Sequence, residues 1–323
     1  MGSGKRPSGG EVEERVQKKA KKAGGPSGAD DLGKLGVEDA KAYFEANSIK
    51  VHLPEGKDVD ITPLSGFRGP GFAKKLIKYC EAKFEKPTPI QACCWPLIMQ
   101  QTDICGIAKT GSGKTMAFAL PYLSMSRLGK LEMFEQPTHM PRFVAMAPTR
   151  ELAMQISEVC KDLSKTLGAA EYPVQCVFGG VPKKDQRMAL ESEGVDMLIA
   201  TPGRLQDLSD EGSLDLGYVQ YLVLDEADRL LDEGFEEDIR AITQLASRRR
   251  QTMMFSATWS PRTEELASAL RAGAMHISVS GVPTTIEQRV ELLPKAARGK
   301  RLREILGGLG MAAKVLLFVL FQK

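Results

Sequence analysis

Short apolar runs alternate with longer segments of helical spacing through the central part of the chain, between Pro87 and Ser280. Each run is apolar on successive residues, which is typical of strands that helices cover on both faces. The alternation predicts an α/β fold built on a doubly wound parallel sheet. The predicted strands are Ile104 to Ala108, Phe143 to Ala147, Val174 to Phe178, Met197 to Ala200, Tyr221 to Leu224, Met253 to Phe255 and Ile277 to Val279.

The N-terminal residues lack this pattern. Residues 1–36 are rich in Gly, Ser, Lys and Glu and contain little to bury, so we expect a disordered tail. Two basic blocks in the tail, Lys5-Arg6 and the lysines between positions 18 and 22, suit either a bipartite nuclear-import signal or a solubilising tail. The next segment, 37–63, predicts a short amphipathic helix and an extended piece that flank a main domain at residues 64–280.

The C-terminal residues, 281–323, are expected to hold a linker and the start of a second domain. Gly281 and Pro283 interrupt the pattern, a helical segment follows around residues 300–309, and a last apolar run covers Val315 to Phe321. One helix and one strand cannot bury a core on their own. We therefore expect the sequence to stop within a second domain, through biological truncation or an incomplete gene model.

Composition narrows the function classes. The 44 basic and 41 acidic side chains give a formal net charge of +3, so affinity for nucleic acid must come from local patches and backbone amides. The six cysteines form no C-x-x-C pair and none of the three histidines is spaced as a zinc ligand, which favours a reduced compartment without a zinc site. No apolar stretch reaches the ~18 residues of a membrane span, and no secretory signal pattern opens the chain. We expect neither secretion nor membrane insertion.

The first predicted strand runs into a segment that matches a phosphate-binding loop, except that Ala108 replaces its first glycine. Gly111 and Gly113 allow a tight turn whose N–H groups, with the positive end of the following helix, surround a polyphosphate. Lys114 would reach the β- and γ-phosphates, and the Thr115 hydroxyl would bind Mg²⁺. A chance glycine-rich loop is the alternative, which the strand before it and the helix after it disfavour. The predicted loop is Ala108, Lys109, Thr110, Gly111, Ser112, Gly113, Lys114 and Thr115.

Acidic residues follow the run Tyr221 to Leu224, at the carboxyl end of its predicted strand. Asp225 is placed there to hold Mg²⁺ through water, and Glu226 to accept a proton from an attacking water. Acidic residues at a helix start also occur simply because they offset the helix dipole. Their presence in one chain with Lys114 and Thr115 favours the catalytic interpretation.

Asp225-Glu226-Ala227-Asp228 is the signature of the DEAD-box RNA helicases, which the chain resembles from about residue 64 to its end. Pro87 to Gln91 resembles the family's Q motif. The resemblance implies that Gln91 reads the adenine edge, with Pro89 in the same motif, and that an aromatic ring packs against the base. Phe67 is the first candidate for that ring and Phe84 the second, with core packing as the alternative for both.

The coupling and RNA-contact motifs follow in the family's order. Ser256-Ala257-Thr258 resembles the motif that couples hydrolysis to strand separation, which implies that the Ser256 and Thr258 hydroxyls bond to Asp228. Three other turns after predicted strands resemble RNA-contact motifs, suited to offering N–H, hydroxyl and guanidinium groups to phosphates and 2′-hydroxyls with little dependence on base sequence. Their residues are Pro148, Thr149 and Arg150, then Gly179 and Gly180, then Thr201, Pro202, Gly203 and Arg204.

The resemblance implies a RecA-like fold of the P-loop NTPase class, ATP and Mg²⁺ as cofactors, and RNA as the partner. Lys109, and Lys83 where the family often has glycine, are mild departures from its pattern. Family members also carry a second RecA-like domain with two arginine motifs that this sequence lacks, although Val315 to Phe318 resembles its opening strand. Such arginines contribute ~10³ to 10⁵ in rate in phosphoryl-transfer enzymes. We therefore expect weak ATP binding and slow hydrolysis from the chain as given.

Three function hypotheses follow. The leading one is an ATP-dependent RNA helicase that couples RNA-stimulated hydrolysis to duplex unwinding or remodelling. The second is a truncated, catalytically weak ATP- and RNA-binding module, and the third, a P-loop ATPase unrelated to RNA, is disfavoured by the RNA-contact motifs.

Two further features resemble the family's nuclear, ribosome-assembly branch. These are Ile49-Lys50-Val51, which lies ahead of Phe67, and Trp259, which follows the coupling motif. With the basic blocks they favour a nuclear or nucleolar location over a cytoplasmic one. The expected partners are then pre-ribosomal RNA and pre-ribosomal proteins, with no membrane contact.

Overall fold

The computed structural model describes residues 35–52, 61–69, 71–131, 140–280, 289–310 and 313–317. The chain divides into two compact units, the first ending at Gly281 and the second beginning at Val282. Both basic blocks of the predicted tail, and the predicted linker positions Gly281 and Pro283, lie outside the described residues.

Within the described part of the first unit, eight strands form one sheet. The strands are β1 (Ile49–His52), β2 (Ile104–Ala108), β3 (Phe143–Met146), β4 (Val174–Val177), β5 (Met197–Ala200), β6 (Tyr221–Leu224), β7 (Gln251–Ser256) and β8 (Met275–Val279). Their order across the sheet is β1-β8-β2-β7-β6-β3-β5-β4. The seven predicted strands are confirmed as β2 to β8, and they run parallel to one another.

Helices connect these strands and cover both faces of the sheet. They are α1 (Val37–Ala46), α2 (Lys74–Lys83), α3 (Pro89–Ile98), α4 (Lys114–Arg127), α5 (Arg150–Leu167), α6 (Lys183–Glu193), α7 (Pro202–Asp210), α8 (Ala227–Asp232), α9 (Glu236–Leu245) and α10 (Pro261–Leu270). A single turn of 3₁₀-helix, Leu216–Tyr218, precedes β6. Among the helices of the described ranges, none is both long enough and apolar enough to cross a membrane.

The apolar runs of the inner strands are continuous because these strands contribute side chains to two cores. In β6, Tyr221 and Val223 belong to a cluster with α3, α4 and α5, whereas Leu222 and Leu224 belong to a cluster with α7, α9 and α10. Since side chains alternate between the faces of a sheet, a strand covered on both faces needs apolar residues at every position. Five cysteines fill these cores as small apolar side chains do: Cys80, Cys93, Cys94, Cys105 and Cys160.

The first strand lies in the segment 37–63, which is predicted to flank the main domain, and it pairs into the sheet of that domain. The helix and the extended piece predicted there are present as α1 and β1. β1 pairs antiparallel with β8, with Ile49 opposite Val279 and its side chain buried in the core. Because β8 lies at the opposite end of the domain's sequence, no local sequence pattern predicts this pairing.

The amino edge of the sheet holds a buried polar network. The Asp196 carboxylate accepts hydrogen bonds from Arg142 at 2.7 Å and from the Tyr122 hydroxyl at 2.9 Å. Burial raises the pKa of Asp196, and the Arg142 guanidinium opposes that rise. The network joins α4 to the starts of β3 and β5.

The second unit contains one described helix, α11 (Lys295–Gly307), where the sequence predicts a helix around residues 300–309. Arg301 pairs with Glu291 at 2.6 Å and with Glu304 at 3.3 Å. The strand predicted from Val315 is not formed over residues 315–317, which are exposed. A strand needs a hydrogen-bonded partner, and the described segments of this unit offer none. The rest of that predicted strand lies outside the described residues.

Candidate nucleotide and RNA site

The carboxyl ends of the parallel strands gather most of the predicted site residues at one edge of the sheet. β2, β7 and β6 are neighbours, and β3, β5 and β4 continue the sheet beside them. Backbone hydrogen bonds align the strand ends: Asp225 N–H donates to the Met146 carbonyl at 2.9 Å, and Thr201 N–H to the Val177 carbonyl at 3.1 Å. We call the turns after β2, β7 and β6 the β2–β7–β6 half, and the turns after β3, β5 and β4 the β3–β5–β4 half. The predicted phosphate and coupling residues lie in the former, and the predicted RNA residues lie in the latter.

The predicted phosphate-binding loop turns tightly between β2 and α4. Gly111 and Gly113 adopt left-handed conformations, with φ of 79° and 89°. A Cβ atom on Gly113 would lie only 2.4 Å from Gln91 Nε2, so the close approach of α3 also requires glycine there. Lys109 and Thr110 are exposed beside the turn. The loop therefore presents its backbone to solvent at the amino end of α4.

Gln91 fastens the predicted adenine-binding motif to this loop. Its Oε1 accepts a hydrogen bond from Thr88 N–H at 3.1 Å, and its Nε2 donates to the Gly113 carbonyl at 3.0 Å. Thr88 Oγ1 is buried with no hydrogen-bond partner among the described residues. A carboxamide offers two donor hydrogens and two acceptor lone pairs, so Gln91 keeps one of each for a ligand. Its predicted contact with an adenine edge is compatible with these bonds.

The two aromatic candidates differ in exposure. Phe67 is only 5% exposed, and its ring centroid lies 6.1 Å from that of Trp95, so core packing describes it in this conformation. Phe84 is 46% exposed at the end of α2. Pro89 begins α3 and is half-buried. Phe84 is thus the ring that a base can reach without rearrangement of the core.

Lys114 is buried and folded back over its own loop. Its Nζ donates to the Ala108 carbonyl at 3.1 Å and lies 4.0 Å from Asp225 Oδ1. The Ser112 hydroxyl is also buried and has no hydrogen-bond partner within the described ranges, while Thr115 is half-buried. A phosphate oxygen entering the loop can replace the Ala108 carbonyl as the acceptor for Lys114.

The two acidic residues after β6 have different environments. Asp225 is 3% exposed and accepts a hydrogen bond from Glu226 N–H at 3.0 Å. Burial raises the pKa of Asp225 to about 6, although the nearby Lys114 cation opposes this rise. Glu226 has a left-handed backbone, with φ of 51°, and its Oε2 lies 3.2 Å from Arg229 Nη1. Arg229 is not among the predicted site residues, although its i, i+3 spacing from Glu226 at a helix start is the local signal of such a pair.

The oxygen donors in this half suit Mg²⁺. Asp225 supplies a carboxylate 4.0 Å from the ammonium of Lys114, and Thr115, the next residue in the chain, supplies a hydroxyl. Hard oxygen ligands supplemented by substrate phosphates are what Mg²⁺ prefers. The buried Ser112 hydroxyl without a partner adds another oxygen to the loop. The residues present therefore fit the predicted metal.

The predicted coupling residues form a closed hydrogen-bonded link between α8 and the end of β7. Asp228 Oδ2 accepts from Thr258 N–H at 3.0 Å and from the Thr258 hydroxyl at 2.7 Å. The Ser256 hydroxyl accepts from Asp228 N–H at 3.3 Å and donates to the Thr258 carbonyl at 2.7 Å. Burial acts to raise the pKa of Asp228, but the hydrogen bonds from Thr258 and Ser256 outweigh it and the pKa lies below its ordinary value. Asp228 is therefore held as a carboxylate.

The first predicted RNA-contact turn, after β3, presents a cation. Pro148 is buried, and the Thr149 hydroxyl caps α5 by accepting from Leu152 N–H at 3.2 Å. The Arg150 side chain is 50% exposed, lies 3.2 Å from Glu151 and has its guanidinium carbon 5.8 Å from the centre of the Phe178 ring. Arg150 is accordingly available to an anionic ligand.

The turns after β4 and β5 differ from each other. Gly179 and Gly180 are exposed, Gly180 has φ of 84°, and no atom lies within 4 Å of where a Cβ on either would stand. After β5, Thr201 and Gly203 are half-buried and Pro202 is buried at the start of α7. The glycine pair is the more open of the two turns.

Arg204 differs from expectation. We expected its guanidinium to face phosphates, but its side chain is only 10% exposed. Nη1 donates to the Val181 carbonyl at 3.2 Å and to Gln186 Oε1 at 3.0 Å, and Nη2 donates to the Val181 carbonyl at 3.1 Å. Burial and partner choice are tertiary properties, so the sequence motif could not distinguish this inward role, and no local signal marks Gln186.

Comparisons with known proteins agree with this arrangement. Residues 88–266 match the family model described as DEAD/DEAH box helicase. The chain is 44% identical over 255 residues to the ATP-dependent RNA helicase dbp3 of Aspergillus clavatus, covering 75% of this chain and 49% of that protein. It is 45% identical over 292 residues to dbp3 of Emericella nidulans, covering 87% of this chain and 58% of that protein. The chain thus spans about half the length of the curated relatives it matches.

Solved structures share the fold. The crystal structure of the RNA helicase Prp28 from Chaetomium thermophilum bound to ADP matches with a TM-score of 0.66 and 32% identity, over 87% of this chain and 65% of that one. The yeast DEAD-box splicing factor Prp28 matches with a TM-score of 0.69 and 30% identity, over 86% of this chain and 65% of that one. The sheet is therefore of the RecA-like kind that the sequence resemblance implied.

Proposed function

Because the chain belongs to the DEAD/DEAH box helicase family, we propose that it supplies the ATP-binding domain of an ATP-dependent RNA helicase. The proposed activity is RNA-stimulated ATP hydrolysis coupled to unwinding or remodelling of RNA duplexes. One observation carries the proposal. The carboxyl edge places a phosphate-binding loop and two buried carboxylates in one half, and an exposed cation and an open glycine turn in the adjoining half.

ATP is the proposed nucleotide. The loop N–H groups and the amino end of α4 would surround its phosphates, and Lys114 would exchange the Ala108 carbonyl for a phosphate oxygen. Gln91 and Phe84 would contact the base, using the spare donor and acceptor of the carboxamide and the exposed ring. The related Prp28 structure bound to ADP supports a nucleotide in this fold.

Hydrolysis requires a proton acceptor beside the terminal phosphate. Glu226 is proposed for that role, and its left-handed backbone is a strained conformation of the kind found at functional sites. Arg229 Nη1 lies 3.2 Å from the Glu226 carboxylate and so orients it. Asp225 and Thr115 would hold Mg²⁺, which supplies charge stabilisation to the phosphates when it is bound.

RNA is the proposed partner of the β3–β5–β4 half. Arg150 offers a charge to a phosphate, and the Gly179–Gly180 turn lets a backbone approach closely because no side chain covers it. The hydrogen bonds of Asp228 with Ser256 and Thr258 connect the end of β7 to α8, the helix that follows Glu226. A shift of either element on hydrolysis would thus move the other.

Phosphate release from ATP by the purified chain, with and without single-stranded RNA, tests the proposal. We expect slow release that RNA accelerates, and a loss of about 10²-fold or more in Glu226→Gln, since a general base contributes 10²–10⁴-fold. Glu233→Gln, an exposed position at the end of α8, is the matched control and should keep the wild-type rate. Wild-type release that equals the Glu226→Gln rate with RNA present would overturn hydrolysis by this chain.

We further propose ribosomal RNA processing in the nucleus or nucleolus, with pre-ribosomal proteins as partners. The support is the similarity of Ile49-Lys50-Val51 and Trp259 to the ribosome-assembly branch and the two N-terminal basic blocks. Microscopy of the fluorescently tagged chain tests the location. Nuclear accumulation that is lost when the lysines at 18 to 22 become glutamine is expected, and a uniform cytoplasmic signal would contradict the proposal.

A further inference from the structure

The Gly179–Gly180 turn is held from the side by two polar side chains. Gln186, in the second turn of α6, donates from Nε2 to the Phe178 carbonyl at 3.0 Å. Arg204, in the first turn of α7, donates from both terminal nitrogens to the Val181 carbonyl, at 3.2 and 3.1 Å. The carbonyls on either side of the glycine pair are therefore both fixed.

The two side chains are also bonded to each other. Arg204 Nη1 donates to Gln186 Oε1 at 3.0 Å, so the carboxamide of Gln186 receives one bond and gives another. Arg204 is 10% exposed, and its Nε, which is buried without a hydrogen bond, lies 3.7 Å from Asp207 Oδ2. Three of its donors are thus used inside the protein, and little of the guanidinium can reach a ligand.

The turn needs these bonds because glycine side chains make no contacts that would restrict the backbone. Glycine has the largest conformational freedom of any residue, and neither Gly179 nor Gly180 has an atom within 4 Å of its missing Cβ position. A backbone that presents N–H groups to a phosphate must be ordered when the ligand binds. If it is not ordered beforehand, binding bears that entropy cost.

We propose that Gln186 and Arg204 are positioning residues for RNA, which clamp the Gly179–Gly180 turn in its binding shape without touching the nucleic acid. This inference rests on the proposed RNA function of the same half of the carboxyl edge. Because Arg204 belongs to the turn after β5 and the glycines follow β4, the clamp also keeps two RNA-contact turns in a fixed relation.

Affinity for a fluorescein-labelled single-stranded oligouridylate, measured over a series of salt concentrations, tests the clamp. Gln186→Ala should weaken binding about tenfold, which is the cost of ordering roughly one backbone residue. Arg204→Lys should weaken it to the same extent, because lysine keeps the charge but cannot make the forked bonds. Gln175→Ala is the matched control: Gln175 bonds to Glu193 and Gly194 at the other end of α6 and should bind RNA as the wild type does.

The salt dependence separates positioning from contact. Removal of a phosphate contact lowers the slope of log affinity against log salt by about 0.7 for a single strand. We expect Arg150→Ala to show that reduction, and Gln186→Ala and Arg204→Lys to keep the wild-type slope. Wild-type affinity for RNA in Gln186→Ala or in Arg204→Lys would overturn the clamp.

Amide exchange separates failure of the clamp from failure of the proposed function. Without RNA, Gln186→Ala should speed exchange at Gly180 and Val181 relative to the wild type, with no change in the phosphate-binding loop. RNA binding together with unchanged exchange and affinity in Gln186→Ala would overturn the clamp alone. A wild-type chain that binds no oligouridylate would overturn the proposed RNA function and the clamp's role in it, whatever the exchange shows.

Discussion

Three charged residues of the β2–β7–β6 half are buried. Lys114, Asp225 and Glu226 are 6%, 3% and 7% exposed. Burial of a charge costs free energy, which mutual attraction and hydrogen bonds among these groups offset. Asp225 shows the balance most clearly, because its pKa is raised to about 6 despite a cation 4.0 Å away.

Asp225→Asn should therefore stabilise the protein and abolish its proposed chemistry. The folded pKa of about 6 exceeds the unfolded value of about 3.9, so the folded state binds more protons in between and stability falls as pH rises through this window. Asparagine removes that loss. Chemical unfolding should show a gain of about 3 kcal/mol above pH ~6.5 and none below pH ~4.

The control is Asp232→Asn, the same substitution at an exposed position on α8, the helix that follows Asp225. It should change stability little at any pH. ATP hydrolysis by Asp225→Asn should be lost even though the protein unfolds at higher denaturant, as expected where a site sacrifices stability for function. A destabilised Asp225→Asn at pH 8 would show that its carboxylate supports the fold instead.

At this scale the sequence motifs identified the chemical groups but not their orientation. Lys114, Asp225 and Glu226 follow from motif spacing. The burial of Phe67 against Trp95 and the inward turn of Arg204 do not, because each depends on which distant elements pack nearby. The same residue in a motif can contact a ligand or support a neighbouring part of the protein, and only its tertiary contacts distinguish the two roles.

At the scale of elements, apolar runs made seven strands predictable from the sequence. β2 to β7 contribute buried side chains to both helical layers, whereas β8 contributes buried side chains to one. The sequence did not place β1 in the sheet because β1 is an edge strand and its partner, β8, is the last strand of the sheet along the chain. Its register, with His52 opposite His276, is set by a contact between the two ends of the domain and not by local spacing.

Two aspartates that join elements should differ greatly in their effect on stability. Asp196 is buried and joins Arg142 to Tyr122, so Asp196→Ala leaves a buried guanidinium without its carboxylate and should cost about 3–5 kcal/mol. Asp162 joins α5 to Lys83 on α2 at 2.6 Å, but both side chains are about half exposed. Solvent screens such a pair, so Asp162→Ala should leave the denaturation midpoint almost unchanged.

Urea unfolding of both variants beside the wild type measures this contrast. The substitution is the same in each, so the difference isolates burial. Equal losses would show that the amino-edge network is no more important to the fold than a surface pair.

At the scale of the whole molecule, sheet order explains how one edge can serve two ligands. The β2–β7–β6 half and the β3–β5–β4 half meet where β6 pairs with β3. Ligands in such sheets bind beyond the carboxyl ends of the strands. The sequence supplied the motifs and their order, whereas the spatial division arises from strand order, which crossover connections set and periodicity does not reveal.

Hydrogen exchange of the whole chain with each ligand alone tests this division most directly. ATP with Mg²⁺ should slow exchange in the turns of the β2–β7–β6 half, and single-stranded RNA should slow it in those of the β3–β5–β4 half. The amino-edge network around Asp196 should be unaffected by either ligand. Protection of the phosphate-binding loop by RNA alone, or of the Gly179–Gly180 turn by ATP alone, would contradict two separate binding halves on one edge.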